Sequence, residues 1–113
     1  MSKERDPDFL ADILEASIRA QKYISGLDYD GFMSDTKTQD AIIRTLEIVG
    51  EATKQLTPEL RDSHANIPWK SMAGMRDRLI HDYFGVNLDI VWEVVTTDLP
   101  AIEAEIKSIL DNL

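Results

Sequence analysis

The 113-residue chain has no cysteine, which excludes disulfides and thiolate metal sites and suits a reducing compartment. It lacks an apolar signal-peptide core, because the opening "MSKERDPDFL" is charged and runs straight into an amphipathic pattern. No uninterrupted apolar stretch is long enough to span a bilayer. Repeats, low-complexity segments and strand signals are likewise missing or nearly so. These absences lead to the expectation of a soluble, cytoplasmic protein whose length suits a single domain, residues 1–113, able to bury one core unaided.

Basic charge is also scarce. The formal net charge is -9, which argues against a broad nucleic-acid face, since phosphate binding relies on clustered Lys and Arg. The distribution is uneven. Residues 1–56 carry seven basic and eleven acidic side chains, residues 87–113 carry one and six, and residues 57–86 carry four of each. A contact with RNA would therefore use a small local site in the neutral third, while the remaining acidity serves solubility.

What is present is helical periodicity. In the first segment Leu10, Ile13, Leu14, Ile18 and Ile24 recur at helical spacing, and Asp6 followed by Pro7 marks its start. Gly26 and the "GLDYDGF" stretch end it. The second segment begins at Ser34 or Asp35 as N-cap and carries Ile42, Leu46, Val49 and Leu56 on one stripe. Gly50 interrupts that stripe at a cost of about 1 kcal/mol relative to alanine, so it marks a close helix approach. Thr57 and Pro58 open a short helical turn, and "NIPW" resets the chain before a third main helix expected over 69–84, with Gly85 as its C-terminal cap. In the last segment Leu88, Trp92, Val95, Leu99, Ile102, Ile106, Ile109 and Leu113 form one apolar seam, with Asn87 and Asp89 at its start. Pro100 interrupts the seam and predicts a kink or a break into two helices. The expected fold is all-α, a four-to-five-helix bundle with a kinked C-terminal helix.

One stretch, "RDRLIHDYFG" at residues 76–85, collects chemistry. On an ideal helix Arg76 and Tyr83 share a face, whereas His81 points about 140° away from Arg76. Arg76 and His81 could meet through arginine's reach, a loosened last turn, or a second copy of the helix across a dimer axis. Asp77 and His81 stand at i,i+4, where a carboxylate can orient the ring. A histidine titrating near neutrality can take a proton from a 2′-hydroxyl or give one to a leaving 5′-oxygen, and an arginine fork can hold the phosphate. The 2′-hydroxyl is the nucleophile, so such chemistry needs no metal and selects RNA over DNA. Blander roles exist for the same residues: His81 as a cap, Arg78 and Asp82 as a solvated i,i+4 pair, and Trp69, Tyr83 and Phe84 as core aromatics with a polar edge. His64 reads as a loop residue, and two histidines do not make a metal site.

The pattern R-x4-H-x-Y, filled by Arg76, His81 and Tyr83, resembles that of the HEPN superfamily, and in particular the HepT toxins. The "IVGEA" stretch, the "IPWKSMAGMRDRLIHDYFGVN" block and the closing "LDIVWEVVTTDLPAIEAEI" extend the resemblance over nearly the whole chain. The resemblance implies a metal-independent endoribonuclease without cofactors, dimerising so that two motifs face one cleft. It implies His81 and Arg76 as catalytic residues with Asp77 beside them, although many relatives carry a polar amide at the Asp77 position. It also implies a partner, an MntA-type minimal nucleotidyltransferase acting as antitoxin, with Tyr83 as adenylyl acceptor. The alternative reading is a non-catalytic helical module that partners a nucleotidyltransferase or binds a nucleotide.

Overall fold

The fold is described by a computed structural model covering residues 3–80 and 85–113. After a 3-10 turn at Lys3–Arg5, α1 runs Asp6–Ile24 with proline in its first turn, as the Asp6-Pro7 pair predicts. Its inner face differs from the expected stripe. Leu10, Ile13, Ala16, Ser17, Ala20 and Ile24 are buried, whereas Ile18 is 45% exposed and Leu14 lies at the margin. Ser17, Ala20 and Ile24 continue the 3-4 spacing from Leu10 and Ile13, and Ile18 is one residue out of phase. Small side chains on this face suit the broad contact that α1 makes with the third helix.

Gly26 turns the chain with φ 83°. The "GLDYDGF" stretch then does more than end α1, because it forms α2 (Tyr29–Met33). Asp28 caps this helix by accepting the Gly31 N–H at 2.7 Å, and Phe32 is fully buried. Helix α3 (Thr36–Lys54) is capped by Asp35, which accepts the Thr38 N–H at 3.0 Å and the Thr38 hydroxyl at 2.8 Å. These bonds, the backbone one foremost, hold the Asp35 carboxyl below its ordinary range. Ile42, Leu46, Val49 and Leu56 are all fully buried, as expected.

Thr57 caps α4 (Pro58–Ser63), accepting the Leu60 N–H at 3.3 Å. The buried Asp6 accepts the Thr57 N–H at 3.0 Å and the Thr57 hydroxyl at 2.6 Å, joining the starts of α1 and α4. His64 ends α4, and the buried Trp69 donates its indole N–H to the His64 carbonyl at 2.9 Å.

The third main helix is not continuous. Residues 69–84 were expected as one helix, but α5 (Trp69–Ala73) and α6 (Met75–Leu79) are separated at Gly74, and Ile80 is already extended at φ -84°, ψ 130°. Gly85 has φ 84°, six positions beyond the end of α6, so it is not the cap of that helix. The cause is tertiary: Ile80 pairs with Val86 in an isolated antiparallel bridge, and the Asn87 N–H donates to the Leu79 carbonyl at 2.6 Å. Helix geometry cannot persist through a residue that is bridged in an extended conformation.

The C-terminal rod comprises α7 (Leu88–Glu93), a π-helical segment at Val94–Asp98, and α8 (Leu99–Asp111). The break predicted at Pro100 thus takes a definite form. The Leu99 N–H bonds the Val94 carbonyl five residues back, and Pro100 occupies the first turn of α8, where it gives up little. Val91, Val94, Val95, Leu99, Ile102, Ile106 and Ile109 are buried, Leu88 and Trp92 pack at the margin, and Leu113 is exposed. The architecture is an all-α bundle with α1 between α3 and the C-terminal rod, and with α5 and α6 against α3. No described helix is long and apolar enough to cross a membrane.

Candidate functional site

Helix α6 is only five residues long, too short to be stable alone. It is fixed by Met75 and Leu79, which are buried one turn apart and turn the intervening residues outward. Arg76 and Asp77 are both exposed on that outer side. At the point of contact α3 carries Gly50, where a β-carbon would stand 3.3 Å from the Met75 Cβ and 3.4 Å from the Met72 carbonyl oxygen. The expected close approach at Gly50 is therefore the seat of α5 and α6.

His81 and Tyr83, like Asp82 and Phe84, lie outside the described residues. The described chain on either side is tied down. Arg78 does not need Asp82 as its carboxylate, because its Nη2 lies 3.3 Å from Oδ2 of Asp98 on the π-helical segment. On the far side, Asn87 caps α7 by accepting the Ile90 N–H at 3.2 Å. The Tyr29 hydroxyl donates a short hydrogen bond to Asp89, which raises the phenol above its ordinary range. The Tyr29 ring meets Trp92 edge-on at 5.8 Å, and Phe32 packs on the same indole at 5.6 Å. Helix α2, expected only as a connection, thus braces the start of α7. Because α6 stops at Leu79, an unbroken α-helix does not relate Asp77 or Arg76 to position 81, and the wheel angles expected for that stretch do not apply.

Arg76 lines a cleft of about 240 Å³ with Ile43 and Glu47 of α3, Leu79, Ile80 and Val86. Glu47 is half-buried, and among the described residues neither its side chain nor that of Arg76 makes a hydrogen bond or ion pair. The rest of the wall, among the described residues, is apolar. A larger hollow of about 720 Å³ beside Arg61, Trp69 and Lys70 contains no motif residue. Sequence reading missed Glu47, although a signal was there: Glu47 precedes Gly50 by three residues and so shares the helix face that Gly50 presents to α6. The Tyr29–Asp89 bond, across 60 residues, had no such signal.

The site therefore offers an exposed guanidinium beside a cleft, at the anchored ends of a segment bearing a histidine and a tyrosine. Comparison with known proteins agrees in kind. A model of the family described as ribonuclease HepT-like matches residues 13–109. A candidate RNase of Caldanaerobacter subterraneus subsp. tengcongensis is 42% identical over 104 residues, covering 92% of this chain and 93% of that protein. A candidate RNase of Methanocaldococcus jannaschii is 40% identical over 113 residues, covering all of this chain and 93% of its own. A candidate HepT ribonuclease of Thermococcus cleftensis is 39% identical over 107 residues, with 95% and 97% covered. No solved structure matches. With a family model spanning most of the residues and relatives of this identity matched nearly end to end, the chain belongs to the HepT-like ribonuclease family.

Proposed function

We propose that this protein is the toxin of a toxin-antitoxin pair, a metal-independent endoribonuclease acting in the cytoplasm at a cleft shared by two subunits. The observation that carries the reading is the placing of Arg76: exposed, free of any described ion pair, and on a cleft next to the bridged residues Ile80 and Val86 that flank the histidine-bearing segment. An arginine held this way can fork two N–H groups onto a phosphate and meet charge as it develops there. His81 accepts the 2′-hydroxyl proton as that oxygen attacks phosphorus, and protonated imidazole supplies a proton to the departing 5′-oxygen. In a dimer, two His81 side chains divide the acid and base tasks. The nucleophile belongs to the substrate, so no metal-bound water is required. Asp77, exposed beside Arg76, orients the imidazole across the break after Leu79 and not through a helical i,i+4 spacing. Tyr83 is the acceptor of adenylyl groups from an MntA-type minimal nucleotidyltransferase, and attached AMP closes the cleft by bulk and negative charge.

Purified protein is expected to cut RNA in the presence of EDTA, leaving 2′,3′-cyclic phosphate ends, and His81→Ala is expected to abolish the cut. Undiminished cleavage by that variant would remove His81 from the mechanism. Co-expression with the nucleotidyltransferase is expected to add AMP-sized mass increments that Tyr83→Phe eliminates. Increments that persist in Tyr83→Phe would place the modification elsewhere.

A further inference from the structure

We propose that the cleft beside Arg76 is a nucleobase subsite, and that Glu47 makes it select a guanine next to the cut phosphate. The proposal rests on the ribonuclease reading and adds to it the base that is recognised. Among the described residues the cleft of about 240 Å³ has two charged side chains, Arg76 and Glu47, on otherwise apolar walls of Ile43, Leu79, Ile80 and Val86. Ile80 is 45% exposed despite being bridged through its backbone, so it presents an apolar surface at the mouth. Among the described residues the site has one cation, one anion and aliphatic walls, a set that fits a planar ring joined to a phosphate. The phosphate goes to Arg76 and the ring lies against the aliphatic side chains.

The carboxylate decides which ring. An ionised carboxylate only accepts hydrogen bonds, through two oxygens side by side. Guanine alone among the four RNA bases presents two adjacent N–H donors, N1–H and N2–H, on its Watson–Crick edge, and these match a carboxylate bidentately. Cytosine and adenine offer their amino group beside a ring nitrogen acceptor. Uracil offers one N–H between two carbonyl oxygens that the carboxylate repels. Glu47 is half-buried, where water competes less and an unmatched carboxylate is costly. A base that cannot pair with Glu47 is thus rejected, which supplies discrimination by repulsion as well as attraction.

Sequencing the ends produced from a randomised single-stranded RNA pool tests this. Wild-type protein is expected to enrich guanine and deplete uracil at the nucleotide beside the cut by about tenfold, the order expected of a matched bidentate pair. Glu47→Gln, nearly the same size, is expected to flatten that preference while cutting at other bases continues. An identical base profile in wild type and Glu47→Gln, or no preference in wild type, overturns the proposal. Absence of any cleavage would count against the ribonuclease reading alone, and calorimetric titration with guanosine and uridine 3′-monophosphates then decides the subsite. Tighter guanosine binding that Glu47→Gln equalises supports it, and equal affinities in the wild type overturn it.

Discussion

Asp6 and Thr57 stand 51 residues apart in sequence, yet one buried carboxylate satisfies both the amide and the hydroxyl at the head of α4. Removing it leaves two buried donors without a partner, and such a loss exceeds the net value of an ordinary hydrogen bond. Asp6→Ala is expected to lower unfolding stability by about 1.5–3 kcal/mol, the range for hydrogen bonds to charged groups. Urea denaturation measures it, and a loss well under 1 kcal/mol would show that water replaces the carboxylate. At this scale the sequence was partly legible. Asp35, Thr57 and Asn87 cap helices as their positions suggested, since a cap needs only its own neighbours three residues on. The partner of Asp6 was not legible, and neither was Asp98 as the partner of Arg78, because both pairs form across elements.

Among the elements, α6 depends most on its neighbours. Five residues cannot propagate a helix alone, and the seat on α3 works because Gly50 has no side chain. Gly50→Val would drive a branched side chain into Met75 and the Met72 carbonyl, and overpacking of this kind costs about 1–3 kcal/mol. The expected outcome is a lower thermal midpoint together with reduced RNA cleavage, since the displaced element carries Arg76. An unchanged midpoint and rate would mean that α5 and α6 can yield without consequence. The periodicity over 69–84 suggested one helix because burial at Met72, Met75 and Leu79 has helical spacing. It could not show that Ile80 would leave that spacing to pair with Val86. The C-terminal rod was read more nearly as it is, with the proline discontinuity expected at Pro100 and a π-helical segment providing it.

Over the whole molecule, charge and shape pull in different directions. A net charge of -9 disfavours polyanions in general, so the proposed function requires that RNA be held locally, with few counterions displaced on binding. RNA affinity of the His81→Ala protein is expected to fall with salt at a log–log slope no steeper than about -2, as for two or three phosphate contacts to single strands. Filter binding across an ionic-strength series measures this, and a much steeper slope would reveal a basic surface beyond the Arg76 cleft. Dimerisation through the proposed shared cleft would bring two Arg76 guanidinium groups to one site without changing the sign of the whole.

Residue order is sufficient for the helical class, the positions of most helix starts, the close approach at Gly50 and the resemblance carried by Arg76, His81 and Tyr83. Each of these depends on neighbours within a few turns, so periodicity and residue type suffice. Tertiary structure alone decided the inner face of α1, the division and early end of the helix bearing Arg76, the bracing of α7 by Tyr29, and the meeting of Glu47 with Arg76 in one cleft. Those outcomes come from packing between distant segments, where the choice among locally acceptable conformations is made by which surfaces are buried together.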